Sequence, residues 1–180
     1  RKKLIAGEYV NGLGKTLGNF CARTAFRGSD LSLPTKEKKK DTALFQGNVE
    51  LMAITENLIF TEPYFEAEMN HHTEGLEPVI NTLRSDVSLK QEVQHMLVKF
   101  TSNTETLPHG DLHSGSVMCT DKETKIIDPE FGFYGPMGFD IGMLISNFLM
   151  AYFSQPGHRT ENTLEEYQNE FGYFQPTYSY

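Results

Sequence analysis

The sequence predicts a mostly helical α+β fold carrying one small β-hairpin. Three observations lead there. Apolar residues recur at helical spacing through much of the chain, as at Leu13, Leu17, Phe20 and Cys21, and again at Leu89, Val93, Met96, Leu97 and Phe100. One stretch, residues 117–127, reads instead as strand, polar turn and strand. The 180 residues, 38% of them hydrophobic, suffice for one domain with a sizeable core.

Taken in order, the chain opens in a helical pattern at Arg1 rather than at Met, so a piece of a longer protein is expected. Leu13, Leu17, Phe20, Cys21 and Thr24 form one face of a long helix closed by Gly28-Ser29-Asp30. Within it, Gly12-Leu13-Gly14-Lys15-Thr16 imitates the end of a phosphate-binding loop. The full motif needs a glycine where Tyr9 stands, and no hydrophobic strand precedes it, so a helix carrying Lys15 outward is the better reading. Pro34-Thr35 starts a second helix running to about Gln46, whose basic cluster at Lys36, Lys38, Lys39 and Lys40 reads as a solvated face. Residues 49–56 continue helically, and Leu58-Ile59-Phe60, stopped by Thr61-Glu62-Pro63, reads as a connection packed beneath the site. His71-His72 has no third ligand nearby and does not read as a metal site.

Asp86 is a good N-cap for a long amphipathic helix reaching Phe100. The hairpin follows, and after it residues 131–138 are rich in glycine and aromatics, a composition for tight turns and close backbone approach. Asp140 opens a helix whose Ile141, Leu144, Ile145, Phe148, Leu149 and Tyr152 are apolar on more than one face, which predicts burial. Residues 163–170 read as a further helix with Leu164 and Tyr167 inward, ahead of an aromatic tail without clear period.

The chemistry concentrates on either side of the hairpin. His109-Gly110-Asp111-Leu112-His113-Ser114-Gly115-Ser116 precedes it and Asp128-Pro129-Glu130 follows. Pairing the two strands therefore brings Asp111 and Asp128 to the same end of a ribbon. In an extended backbone Asp128 and Glu130, two residues apart, point to one side, and Pro129 stiffens the segment. Three carboxylates in one small volume repel one another unless a cation or proton neutralises them, and an all-oxygen set suits magnesium better than zinc. If two acids hold metal, the third is free to orient or deprotonate a hydroxyl, the division of labour of phosphoryl transfer. The alternative is that these are ordinary turn acids on a hairpin surface. His109 and His113 each have two readings: a ring packed and hydrogen-bonded to backbone, or a direct role in the chemistry.

These residues carry a family resemblance. The HGDLH loop resembles the catalytic loop of aminoglycoside phosphotransferase-like kinases, relatives of the protein kinases. HGDLHSGSVM and IDPEFGFYGPMGFDIG, together with GLGKTLGNFCARTAFRGSDL and ITENLIFTEPY, are similar to the methylthioribose kinase family over roughly residues 4–158. The resemblance implies that residues 1–180 form the C-terminal lobe of a protein-kinase-like fold, with the N-terminal nucleotide lobe absent from this chain. It implies transfer of the ATP γ-phosphate to the C1 hydroxyl of 5-methylthioribose, a step of methionine salvage. In that scheme Asp111 is the catalytic base, Asp128 and Glu130 hold magnesium on the phosphates, Asp140 braces the loop's backbone amides, and His109 packs beside them. One departure stands out: the wider superfamily ends this loop with Asn, a second metal ligand, where this chain has Ser116. Methylthioribose kinases share the change; Ser116 is expected beside the cofactor together with Asp128 and Glu130, Glu130 supplying the missing oxygen, and His113 is expected to support the loop alongside His109 and Asp140. ATP and magnesium are the implied cofactors and a homodimer the implied assembly. Another sugar or aminoglycoside phosphotransferase, or a non-catalytic kinase-like fragment, stands as the alternative.

Bulk properties narrow the partners. A formal net charge of −8 argues against a nucleic-acid-binding surface. No apolar run reaches the roughly 18 residues that span a bilayer, and no signal peptide is visible. Cys21 and Cys119 lie in apolar contexts without metal or redox spacing, which predicts buried free thiols in a reducing cytoplasm.

Overall fold

The computed structural model describes residues 2–120 and 122–158, so the helix expected at 163–170 lies outside it. Among the described residues seven α-helices and one hairpin follow one another: α1 Lys2–Ile5, α2 Leu13–Arg27, α3 Thr35–Phe45, α4 Val49–Thr55, α5 Glu77–Ser85, α6 Val87–Ser102, β1 Val117–Cys119, β2 Thr124–Ile126 and α7 Phe139–Phe153. The α+β class is as expected.

Several helix ends follow from single residues. Gly12, at φ 73°, takes the left-handed turn into α2, a conformation open to a residue without Cβ. Lys15 lies exposed on that helix, as the failed phosphate-loop motif implies. Asp86 caps α6, its Oδ1 accepting the Leu89 amide at 2.9 Å. Of the expected inward face of α6, Val93 and Phe100 are buried while Met96 is exposed, because the helix packs along one narrow seam.

Three local readings change. Residues Glu56–Thr61 form a π-helical turn continuing α4 rather than an irregular connection. That turn carries Phe60 against Phe100 of α6, ring centroids 5.2 Å apart, so the apolar run serves helix packing. Helix α5 is a further element the sequence reading did not include, although Leu76, Val79, Ile80 and Leu83 recur at helical spacing and Pro78 stands near its start. Lys38, expected on a solvated face, is buried, its ammonium paired with Asp30 and donating to the Glu105 carbonyl at 3.2 Å. Lys36, Lys39 and Lys40 do face solvent.

Two packed groups support the loops that follow. Phe100, Phe133 and Phe139 meet with centroid separations of 4.6 to 6.0 Å, fastening the glycine-rich segment to α6. Leu17 and Cys21 of α2, Leu144 of α7 and Leu112 form the second group. Helix α7 departs from its expected burial: Leu144 is buried, but Ile141, Ile145, Phe148 and Leu149 are exposed. One face meets α2 and the loop before β1, α1 packs beside the helix, and the residues named above remain open. No helix among those residues is long and apolar enough to cross a membrane.

Candidate active site

Strands β1 and β2 pair antiparallel in the register Val117 with Ile126 and Cys119 with Thr124, as the sequence predicts. The Ile127 amide donates to the Ser116 carbonyl at 3.0 Å, extending the pairing one step toward the loops. Residues 109–116 and 128–131 therefore leave the same end of the hairpin. Their backbones come into direct contact. Gly110, at φ 85°, packs so closely on the 128–131 turn that a Cβ there would lie 2.1 Å from the Phe131 carbonyl oxygen. Only glycine fits on both counts.

The loop is held from below by α7. The carboxylate of Asp140, 3% exposed, accepts the His109 amide at 2.7 Å and the Gly110 amide at 3.1 Å. Burial pushes this carboxyl above the usual range, while the two amides pull it back down. Two turns along the same helix face, Asn147 Oδ1 accepts from the amide and hydroxyl of Ser114 at 3.2 and 3.0 Å. Between them Leu144 contacts the fully buried Leu112. A stripe of α7 at 140, 144 and 147 thus grips the loop by charge, packing and an amide in turn. Backbone alternation around buried Leu112 leaves the neighbouring Asp111 half-exposed.

The remaining expected residues are placed as follows. His109 is buried; its Nδ1 accepts the Asp111 amide at 3.3 Å and its Nε2–H donates to the Ile127 carbonyl at 2.8 Å. Both ring nitrogens are committed to backbone, which favours the packing reading. Ser116 is buried, its hydroxyl donating to the Asp111 carbonyl at 2.9 Å. It therefore ties the loop to itself. His113 is half-buried, with Nε2 3.3 Å from Asp111 Oδ2 and Nδ1 accepting the Gly115 amide at 2.8 Å.

The expected extended segment is not observed. Asp128 is left-handed, at φ 67° and ψ 55°, and Pro129–Phe131 is a single 3₁₀ turn. Pro129 fixes its own φ near −65° and suits the first position of such a turn, so proline stiffens a bend here instead of a strand. Asp128 and Glu130 are both exposed, and among the described residues no three His, Cys, Asp or Glu side chains lie close enough to hold a metal ion. The close convergence of three carboxylates is thus corrected to an acidic turn beside a separate loop aspartate.

Comparison with known proteins places this arrangement. Residues 12–176 match the phosphotransferase enzyme family. The chain belongs to that family. It is 49% identical over 158 residues to a methylthioribose kinase of Escherichia coli O45:K1 (strain S88 / ExPEC), covering 87% of this chain and 38% of that one. It is 42% identical over 159 residues to methylthioribose kinase 1 of Oryza sativa subsp. japonica, covering 88% and 37%. A methylthioribose kinase of Geobacillus sp. (strain WCH70) is 40% identical over 179 residues, covering 99% and 44%. The chain spans about two fifths of the length of these curated relatives.

Within this phosphotransferase-family chain, two supporting residues escaped the sequence reading. Asn147 braces Ser114, and Asn48, before α4, donates from Nδ2 to the carbonyls of Glu130 and Gly132 at 2.8 and 3.1 Å, clamping the acidic turn. Asn147 carried a signal: it is a polar residue in an otherwise apolar helix, in phase with Asp140. Asn48 carried none, because its partners lie over 80 residues away.

The donor chemistry of the acidic turn fits magnesium. The ion is commonly held by one or two carboxylates plus substrate phosphates and water, so a three-residue protein cage is not required.

Proposed function

We propose that the whole protein is an ATP-dependent kinase that phosphorylates the C1 hydroxyl of 5-methylthioribose, and that residues 1–180 supply the C-terminal, catalytic lobe. The observation that carries this reading is the loop itself. Residues 109–116 are immobilised through Asp140 and Asn147, while Asp111 stays accessible at their tip, beside the acidic turn. Pinned backbone with one accessible carboxylate is what positioning a hydroxyl nucleophile requires. The similarity to proteins named methylthioribose kinase supports the acceptor.

In the proposed reaction Asp111 orients the sugar C1 hydroxyl and takes its proton. The oxygen then bonds to the γ-phosphorus as the bond to the β-phosphate oxygen breaks, giving the sugar 1-phosphate and ADP. Asp128 and Glu130 would hold magnesium, which supplies charge neutralisation on the phosphates when bound. Ser116, which occupies the superfamily's Asn position, contributes through the loop backbone. The nucleotide's glycine-rich cover and lysine would come from an N-terminal lobe outside this chain. The reading extends to a homodimer in the cytoplasm and to methionine salvage; the free thiols of Cys21 and Cys119 suit a reducing compartment.

The test is an acceptor panel with the full-length protein. Methylthioribose should be phosphorylated in strong preference to other pentoses and to aminoglycosides, and Asp111→Asn should lower kcat by roughly 10²-fold or more with little change in ATP affinity. Equal rates across the panel would remove the acceptor assignment, and near-normal kcat in Asp111→Asn would remove the base.

A further inference from the structure

The two histidines of the loop look equivalent in sequence but differ in what they touch. His109 spends both ring nitrogens on backbone and is 3% exposed. His113 spends one nitrogen on backbone and brings the other to a carboxylate. Its Nδ1 accepts the Gly115 amide at 2.8 Å, and its Nε2 lies 3.3 Å from Asp111 Oδ2. A ring nitrogen that accepts an amide proton carries none of its own, so the proton of the neutral ring sits on Nε2, facing Asp111.

The ring's position is built into the backbone. A Cβ on Gly115 would meet His113 Cε1 at 2.4 Å and Nδ1 at 2.8 Å, so the imidazole lies directly over the Gly115 backbone, in space that a side chain there would have to share. Ring and amide are thereby held together, and that arrangement sets Nε2 beside the Asp111 carboxylate.

We propose that His113 is a positioning residue for Asp111: anchored on the Gly115 amide, its Nε2–H holds one carboxylate oxygen and leaves the other for the acceptor hydroxyl. This rests on the reading of Asp111 as the group that orients that hydroxyl. A residue acting this way changes turnover without changing nucleotide binding. It also has a specific chemical requirement, since the Nε2 donor is the part that matters.

Side-chain substitution separates the two ring nitrogens. In His113→Gln the amide nitrogen can reach the place of Nε2 and donate to Asp111. In His113→Asn the carbonyl oxygen can reach the place of Nδ1 and cap Gly115, but no donor reaches Asp111. In the full-length protein His113→Gln should retain kcat within a few-fold. His113→Asn and His113→Leu should fall toward the roughly 10²-fold scale that a misplacement of about 1 Å costs, with KM for ATP unchanged. His113→Leu added to Asp111→Asn should bring no further loss. Retention by Asn together with loss by Gln would show that the ring merely caps Gly115, and normal kcat in His113→Leu would also overturn the proposal. Matching thermal midpoints for the Gln and Asn variants keep the comparison free of unfolding. Activity surviving in Asp111→Asn would fell the base reading instead, whereas loss there with normal His113→Leu would fell the positioning role alone.

Discussion

Asp140 accepts the backbone amide of His109 at 2.7 Å from a buried position at the start of α7. With the Gly110 amide, this bond makes one carboxylate the hinge pin between a helix and the loop bearing Asp111. Asp140→Ala orphans two buried N–H groups, and an unsatisfied buried donor costs about 1–3 kcal/mol. Loss of stability on that scale at pH 7 is expected in denaturant titrations. The pH dependence has a definite sign. Burial raises the folded carboxyl above its ordinary value of 3.8, so its stabilising contribution is full below that value and is lost as pH rises through the folded one. The gap between wild type and Asp140→Ala should therefore narrow from pH 4 toward pH 7. A gap that widens over that range would show that the amides outweigh burial.

Glu130 should matter to magnesium where Glu123 does not. Glu130 sits in the turn clamped by Asn48, whereas Glu123 sits in the hairpin turn, at the opposite end of the ribbon. In the full-length protein Glu130→Gln should raise the magnesium concentration needed for half-maximal activity by roughly tenfold or more, and Glu123→Gln should leave it unchanged. Superimposable magnesium titrations for the two variants would remove Glu130 from the metal.

The 180-residue chain on its own should bind magnesium-ATP weakly and turn over no methylthioribose. The sheet among the described residues is the two-stranded hairpin, and Lys15 stands on helix α2 rather than on a strand facing Asp128. Carboxylates facing open water grip a phosphate-bound ion poorly and are screened by salt. Isothermal titration of the purified chain checks this, and micromolar binding would place the nucleotide on these residues alone.

Thiol labelling should distinguish the two cysteines. Burial, aided by the charge of Asp140, pushes the Cys21 thiol up, which lowers its thiolate fraction, while Cys119 is half-buried on β1. Iodoacetamide should modify Cys119 first and Cys21 only under unfolding conditions, as read by mass spectrometry. Equal rates in the folded chain would contradict the packing of Leu17, Cys21, Leu112 and Leu144.

What could be read without coordinates was local. Helical spacing at Leu13, Leu17 and Cys21, the Asp86 cap and the strand-turn-strand run at 117–127 each depend on neighbours within a few residues, and all three stand in the structure. The loop and the acidic turn were legible as well, because a hairpin register is set by its own turn and carries both flanks to one end. The resemblance pointed to Asp140, and its two amide contacts match that placement. Decisions that rest on distant partners were not legible. Asn48 became a clamp because α4 lies beside residues 130–132, and Lys38 was buried by Asp30 and Glu105. Asp128 also takes a left-handed turn where alternation alone foresaw an extended segment, and the backbone of that turn packs directly on Gly110. Tertiary contact separated His109 from His113, two identical side chains four residues apart, by giving one of them only backbone partners and the other a carboxylate.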